Sequence, residues 1–241
     1  MKYKKIILGV ALALACFSSL NANALTETKV KKTETQAAAP NVYWTDGYGR
    51  VSYTTNSIIS PVVKIALKEF TGDMKAVTGF DAKEKSGAPI QIYQLDQLTN
   101  KEFSAVEKLG APLHLIITAK DAFYIGTRKG KLIVIGSNAR GTAYAIMKLS
   151  ELAGVSPLAA WNDLQPAQRK SLYTPVDQQW IEVPRIEFRG LALNNSQWMK
   201  PQNYSRIARL MLRLRANTLW QVDGKHEAVY NKAVVDSFDI C

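Results

Sequence analysis

Two cysteines and two histidines in 241 residues leave little room for thiol, imidazole or metal chemistry. Cys16 falls inside an N-terminal export signal, so cleavage leaves Cys241 by itself, with no internal disulfide and no Cys-based metal site. His114 and His226 are far apart in sequence. His114 lies in the apolar run Leu113 to Ile117, the setting of a hydrogen-bonded core histidine and not of a metal ligand. No Ser/His/Asp or Cys/His set can be assembled from this inventory, and no internal repeat is found. The one long apolar run, Ile6 to Leu20, is too short to favour a membrane anchor.

That run belongs to an export signal. Met1-Lys2-Tyr3-Lys4-Lys5 supplies a positive start, and Ala22-Asn23-Ala24 supplies the small residues of a cleavage site, so residues 1–24 are read as a signal peptide. The mature chain is expected to be exported, periplasmic or extracellular, without a transmembrane segment. Ala13-Leu14-Ala15 before Cys16 is an imperfect lipobox and leaves a lipid-anchored cell-surface form open. Removing three lysines and no acid takes the formal charge from +11 to +8. The basic residues are scattered and not clustered, which argues for a solvated surface and against nucleic acid; an acidic polysaccharide suits a basic exported protein better.

Residues 25–40 read as a flexible tether without a core. A globular pattern begins at Asn41. Pro61 opens a helix with Val63, Ala66, Leu67, Phe70, Met74 and Val77 on one face, and Gly79 ends it. Ile90 to Leu95 alternates as a strand, Thr99 with Glu102 forms a capping box, and Leu113 to Thr118 is predicted as a strand. Arg128-Lys129-Gly130 joins two β runs in a hairpin, and Ser137-Asn138 caps a helix stopped by Gly154. Prolines 157, 166, 175 and 184 make 158–183 an extended connection.

After it, Glu187 to Leu193 is a short apolar run, as in a strand covered on both faces. The next helix carries Ile207, Leu210, Met211 and Leu214 on one face and Arg206, Arg209 and Arg213 on the other, Asn217 suits its C-terminal turn, and Thr218 to Val222 is a second strand. A crossover of this length favours a parallel pair. The fold class is therefore α/β: an α/β sandwich domain with a mixed sheet over 41–184, then the first β/α units of a truncated (β/α)8 barrel over 185–241.

Single motifs stop short of a function. Gly136 to Gly141 follows a strand and opens a helix, but lacks dinucleotide or Walker spacing and reads as a tight connection. Asp46 and Asp163 are isolated loop acids and read as turn formers. Trp161, Trp180, Trp198 and Trp220 offer faces for a sugar or, more simply, for a core. Paired carboxylates for glycoside hydrolysis cannot be read from linear spacing.

The order of several blocks is more informative. Gly136 to Tyr144, Leu149-Ser150-Glu151, Gly154 to Pro157, Trp161-Asn162-Asp163, Phe188-Arg189-Gly190, Asn194, Leu212 to Trp220 and Asn231 to Ile240 resemble successive blocks of glycoside hydrolase family 115. The resemblance covers 110–241 well and 41–110 loosely. It implies an inverting α-glucuronidase that removes glucuronic acid or its 4-O-methyl form from xylan, with a (β/α)8 barrel after an α/β domain and no cofactor. It places the catalytic carboxylates downstream of Cys241, so the 241 residues would be an inactive N-terminal portion. Catalytic residues stay unknown.

The resemblance puts Glu151, Asn194 and Asn195 at the substrate site. Asn195 and Ser196 stand where the family has acids, and Leu158-Ala159-Ala160 replaces an aromatic-rich run. The expected partner is a polysaccharide or oligosaccharide with uronic acid side chains; oligomerisation of the full-length protein stays open. A non-catalytic glycan- or protein-binding module, or a glycosidase with another substrate, remains an alternative.

Overall fold

The computed structural model describes residues 40–162, 164–193, 201–221 and 232–241, which fall within one compact unit, 39–241. Its centre is a six-stranded sheet of β2 (Ser52–Thr55), β3 (Lys83–Glu84), β4 (Ile90–Gln94), β5 (Phe123–Arg128), β6 (Lys131–Gly136) and β8 (Gln179–Glu182) in the order β3-β2-β4-β6-β5-β8. The β3-β2-β4-β6 part is parallel, and β5 pairs antiparallel with β6 and β8. β1 (Asn41–Tyr43) pairs separately with β7 (Tyr173–Pro175). The mixed sheet follows from the connections. Lys129 and Gly130, both with positive φ, make the tight β5–β6 turn that reverses the chain.

Alternation along the central strands sorts the two layers of core. Ile90, Ile92, Leu132 and Val134 face α1 (Pro61–Thr78) and α3 (Ala139–Leu152), where Phe70, Met74 and Ile146 are fully buried. On the other face Ile133, Ile135 and Tyr124 pack with Val106 of α2 (Asn100–Glu107) and with Leu95 and Ile116. Each such side chain stabilises the fold by about 1.5–3 kcal/mol through water exclusion.

The local signals hold. Pro61 opens α1 and Gly79, at φ 85°, closes it. The α2 capping box is complete, and N–H groups of Ser57 and Thr99 on the Glu102 carboxylate lower its pKa to about 2.

Three expectations change. Leu113 to Thr118 is no strand: it forms a 3-10 turn at Leu113–Leu115 and then further turns, with Ile116 buried and His114 exposed. Its amides bond locally, Ile116 and Ile117 both donating to the Leu113 carbonyl, so the run seats one apolar side chain without joining the sheet. His114 is thus not a core histidine. The 158–183 connection contains α4 (Ala159–Asn162) and strands β7 and β8, the latter completing the sheet edge.

The third change concerns the following unit. β9 (Gly190–Leu193), α5 (Pro201–Arg213) and β10 (Thr218–Gln221) form a parallel β-α-β unit with Leu191 opposite Leu219, followed by α6 (Lys232–Ser237). Leu193 and Leu219 pack on Tyr204, Ile207 and Met211 of α5. The opposite face carries Ala192 and Trp220, and Trp220 is 68% exposed, so β9 is covered on one face among the described residues. Glycine is required at 190, because a Cβ there would stand 1.6 Å from the Thr218 carbonyl oxygen across the pair.

α5 is buried on two sides. Ala208 and Leu212 enter the core of the α/β layer, and Arg213, expected on the opposite, polar face, is 7% exposed. Its guanidinium makes two 2.9 Å bonds to the Asp73 carboxylate and one of 3.2 Å to Glu69, both on α1. Leu214, expected on the apolar face, is 47% exposed. Removing one partner of such a fork leaves buried charge uncompensated. Arg213→Met is expected to destabilise the protein by about 3–5 kcal/mol, with Asp73→Leu in the same chain restoring much of the loss; urea unfolding midpoints of the single and double variants check this.

Candidate functional site

The β-α-β unit has two ends, and β/α barrels place chemistry at the C-terminal ends of their strands and stability at the other. Asn194 and Asn195 directly follow β9 at that C-terminal end and lie outside the described residues, as do Trp198, Asp163 and His226. Of the described tryptophans, Trp161 packs against the Tyr204 cluster with the Arg206 guanidinium 4.6 Å from its ring centre. Trp180 packs on the main core, and Trp220 projects from β10. Asp46 is a turn former as read, its Oδ1 accepting the Tyr48 and Arg50 amides.

At the N-terminal ends the structure assembles a cluster that sequence reasoning missed. Asp121, 2% exposed and at φ 58°, accepts from Asn138 Nδ2 at 3.1 Å and Arg140 Nε at 2.9 Å on Oδ1. Its Oδ2 accepts from Arg189 Nη2 at 3.0 Å and Asn217 Nδ2 at 3.1 Å. Asn217 also accepts the Arg189 amide on Oδ1 at 2.8 Å, so it registers the start of β9 against that of β10. The left-handed residue after α5 is Arg215, at φ 59°; Asn217 itself is a buried cross-link and not a helix-end residue.

The Gly136–Gly141 motif serves this cluster. A Cβ at Gly136 would stand 2.1 Å from the Thr142 amide nitrogen, so glycine lets α3 begin against the strand end. Asn138 then caps α3 through Gly141 N and turns its amide to Asp121. The anion held at this helix start is the protein's own carboxylate, which supports the reading as a tight connection.

A cavity of about 350 Å³ lies beside the cluster, lined by Lys120, Asp121, Arg140, Arg185, Arg189 and Cys241 among others. Burial alone would raise the Asp121 pKa, but donation from Arg140, Asn138 and Arg189 and the charge of Arg140 outweigh it and hold the pKa below the ordinary value. A carboxylate that is ionised and engaged by four donors is unsuited to general acid work, which needs a raised pKa and a free oxygen. Asp121 is a positioning residue.

Glu151 sits in a ring of charges: Arg215 Nη2 at 2.7 Å and Lys148 Nζ at 3.1 Å, with Glu182 Oε2 2.9 Å from Arg215 Nε and Oε1 4.0 Å from Lys148. Arg215 lies on the segment entering β10 from its N-terminal end, whereas Asn194 and Asn195 follow the C-terminal end of β9. Among the described residues, no group of three or more His, Cys, Asp or Glu could hold a metal ion, and no helix is long and apolar enough to cross a membrane.

With its mixed α/β domain and parallel β-α-β unit, the chain has a glycoside hydrolase-like fold by structural similarity. Within that class the chain is similar to the N-terminal part of a family GH115 4-O-methyl-α-glucuronidase with specificity for decorated arabinogalactans, at 26% identity and TM-score 0.69 over 81% of this chain. The chain spans 28% of the length of that structure. A chitobiase from Flavobacterium johnsoniae (15% identity, TM-score 0.52, 84% of this chain and 32% of that one) shares the fold alone. A Streptomyces plicatus β-hexosaminidase does too (12%, 0.51, 76% and 32%). No family model matches the sequence, and no curated protein sequence matches it.

The Asp121 cluster sets a pH dependence. An aspartate whose folded pKa lies below its unfolded value of about 3.9 contributes fully above that value and loses the contribution as pH falls through the folded pKa. Asp121→Asn is expected to cost about 2–4 kcal/mol at pH 7, by leaving Arg140 and Arg189 without their counter-charge. The gap to wild type should narrow as pH drops below about 4, measured as unfolding midpoints over an acid pH series.

Proposed function

We propose that these residues are the N-terminal portion of an exported glycoside hydrolase that removes α-linked glucuronic acid or its 4-O-methyl form from polysaccharide side chains. The observation that carries this reading is the similarity at 26% identity to a GH115 4-O-methyl-α-glucuronidase over 81% of this chain. The proposal treats β9 and β10 as the first strands of a (β/α)8 barrel, with Asn194 and Asn195 at its substrate-facing rim; Glu151, paired with Arg215 ahead of β10, stands toward the other end of the strands and away from that rim. Export rests on the signal-like sequence of residues 1–24.

The inverting hydrolysis implied by the family needs a carboxylic acid to protonate the leaving oxygen and a carboxylate to activate water, about 6.5–9.5 Å apart. Asp121 is excluded from either role by its four donors. The ion pairing of Glu151 with Arg215 suits a residue that orients its neighbours and not one that transfers protons.

The polymer is either glucuronoxylan, which the sequence resemblance implies, or a decorated arabinogalactan, the stated specificity of the similar structure. The protein expressed from its natural gene is expected to release glucuronic acid or its 4-O-methyl ether from one of these, with the β-anomer appearing first by proton NMR. Release of the α-anomer first would overturn inversion. Absence of uronic acid release from both polymers, with release of neutral or N-acetylated sugars from others, would overturn the substrate class.

A further inference from the structure

The turn between β1 and β2 is fixed by more hydrogen bonds than a plain connection needs. Asp46 Oδ1 accepts the Tyr48 and Arg50 amides, each at 2.9 Å, Asp46 N donates to Arg50 O at 2.9 Å, and Gly49 N donates to Asp46 O at 3.0 Å. Gly49 has φ 87°, and its Cβ position lies 3.9 Å from the Phe80 ring. This rigid turn holds Tyr48 in solvent, 77% exposed, and Phe80 is 40% exposed beside it. Burial of apolar area does not explain a tyrosine in that position.

The Arg50 guanidinium stands 5.7 Å from the Tyr48 ring centre and 5.3 Å from that of Phe80, one cation serving two aromatic rings. A cavity of about 570 Å³ lies on one side, lined by Tyr48, Phe80, Gln168 and Lys170. A second of about 460 Å³ shares Phe80 and adds Arg50, Lys75 and Lys83. The acids nearby are engaged: Asp46 in the turn, Asp81 with Lys75 at 3.5 Å. The surface therefore presents aromatic faces and net positive charge. None of its residues belongs to the Asp121 cluster.

Aromatic faces bind the C–H faces of sugar rings, and lysine and arginine bind carboxylates. A neutral glycan would use the rings alone, and a flexible polyanion without rings would use the cations alone; rings and cations together around two cavities that share Phe80 fit a polymer that engages both. We propose that Tyr48, Phe80 and Arg50, flanked by Lys83 and Lys170, form a binding surface for uronic-acid-bearing polysaccharide. This rests on the carbohydrate reading above for the ligand class only.

The 241-residue chain is tested by affinity electrophoresis with glucuronoxylan, carboxyl-reduced glucuronoxylan and dextran sulfate. Glucuronoxylan is expected to bind about tenfold tighter than its reduced form. Tyr48→Ala and Phe80→Ala are expected to weaken binding about fivefold each, Tyr48→Phe to retain it, and Arg50→Gln to abolish the preference for the acidic polymer. Unchanged unfolding midpoints show that the variants fold. Absence of wild-type binding overturns the proposal, as does equal binding by wild type and the ring variants. Dextran sulfate binding that matches glucuronoxylan and ignores Tyr48→Ala also overturns it, indicating a general polyanion surface. Uronic acid release plays no part in this readout. If the natural gene product releases uronic acid while the ring variants bind as wild type does, this proposal alone falls; if binding depends on Tyr48 while the natural gene product releases uronic acid from neither glucuronoxylan nor arabinogalactan, the glucuronidase reading alone falls.

Discussion

One carboxylate fixes how the six-stranded sheet and the β9–β10 pair of this protein are joined. Asp121 lies on the turn before β5, and its four donors come from the start of α3, the approach to β9 and the approach to β10. Four stretches far apart in sequence thus meet within hydrogen-bonding distance of two oxygen atoms. A donor of the wrong length would leave a buried charge or amide unpaired, at about 1–3 kcal/mol for each neutral group and more for a charged one. That penalty makes the junction specific in a way that apolar contact between α5 and the α/β layer would not. The Tyr144 hydroxyl, donating to the Ala216 carbonyl at 3.0 Å, and the Arg213 fork add constraints from other directions.

The consequence is an asymmetry between the two ends of the parallel pair. The Asp121 cluster, Arg215 and Glu151 all gather where β9 and β10 begin, so the N-terminal ends are held by ionic and amide bonds. Chemistry in β/α architectures uses the opposite ends, where loops can vary without disturbing the scaffold. A domain that anchors the strand starts thus places its own charges at the end away from the one where such architectures put chemistry.

The features legible in the sequence are those set by neighbours in the chain. Pro61 with Gly79, Thr99 with Glu102 and the Lys129-Gly130 turn each act within a few residues, and each formed as expected. The parallel pairing of β9 with β10 is legible because a helical crossover leaves few other solutions; the register that sets Leu191 opposite Leu219 is not. Leu113 to Thr118 was misread because an apolar run looks the same whether it pairs with a strand or tucks one isoleucine under a loop. Arg213 was misplaced because helical periodicity identifies one apolar face, and α5 has a second buried side set by α1. Asp121 carried no local signal at all: Lys120-Asp121-Ala122 is an ordinary turn until Asn138, Arg140, Arg189 and Asn217 arrive from elsewhere.

The same long-range pairing bears on the charge of the surface. Asp121, Asp73, Glu69, Glu151 and Glu182 are engaged by arginines at or near the junction between the α/β layer and the β-α-β unit. Acids used there cannot neutralise cations elsewhere, and a chain with 31 basic and 20 acidic residues has few to spare. Part of its positive excess appears away from the junction. Around Phe80 it falls next to exposed rings, with Arg50 between two of them. A uniform basic surface attracts any polyanion, and salt screens that attraction over about 10 Å. Rings add a contact that salt does not screen and that depends on the shape of the ligand, so charge left over from building the junction becomes selective only where Tyr48 and Phe80 stand beside it.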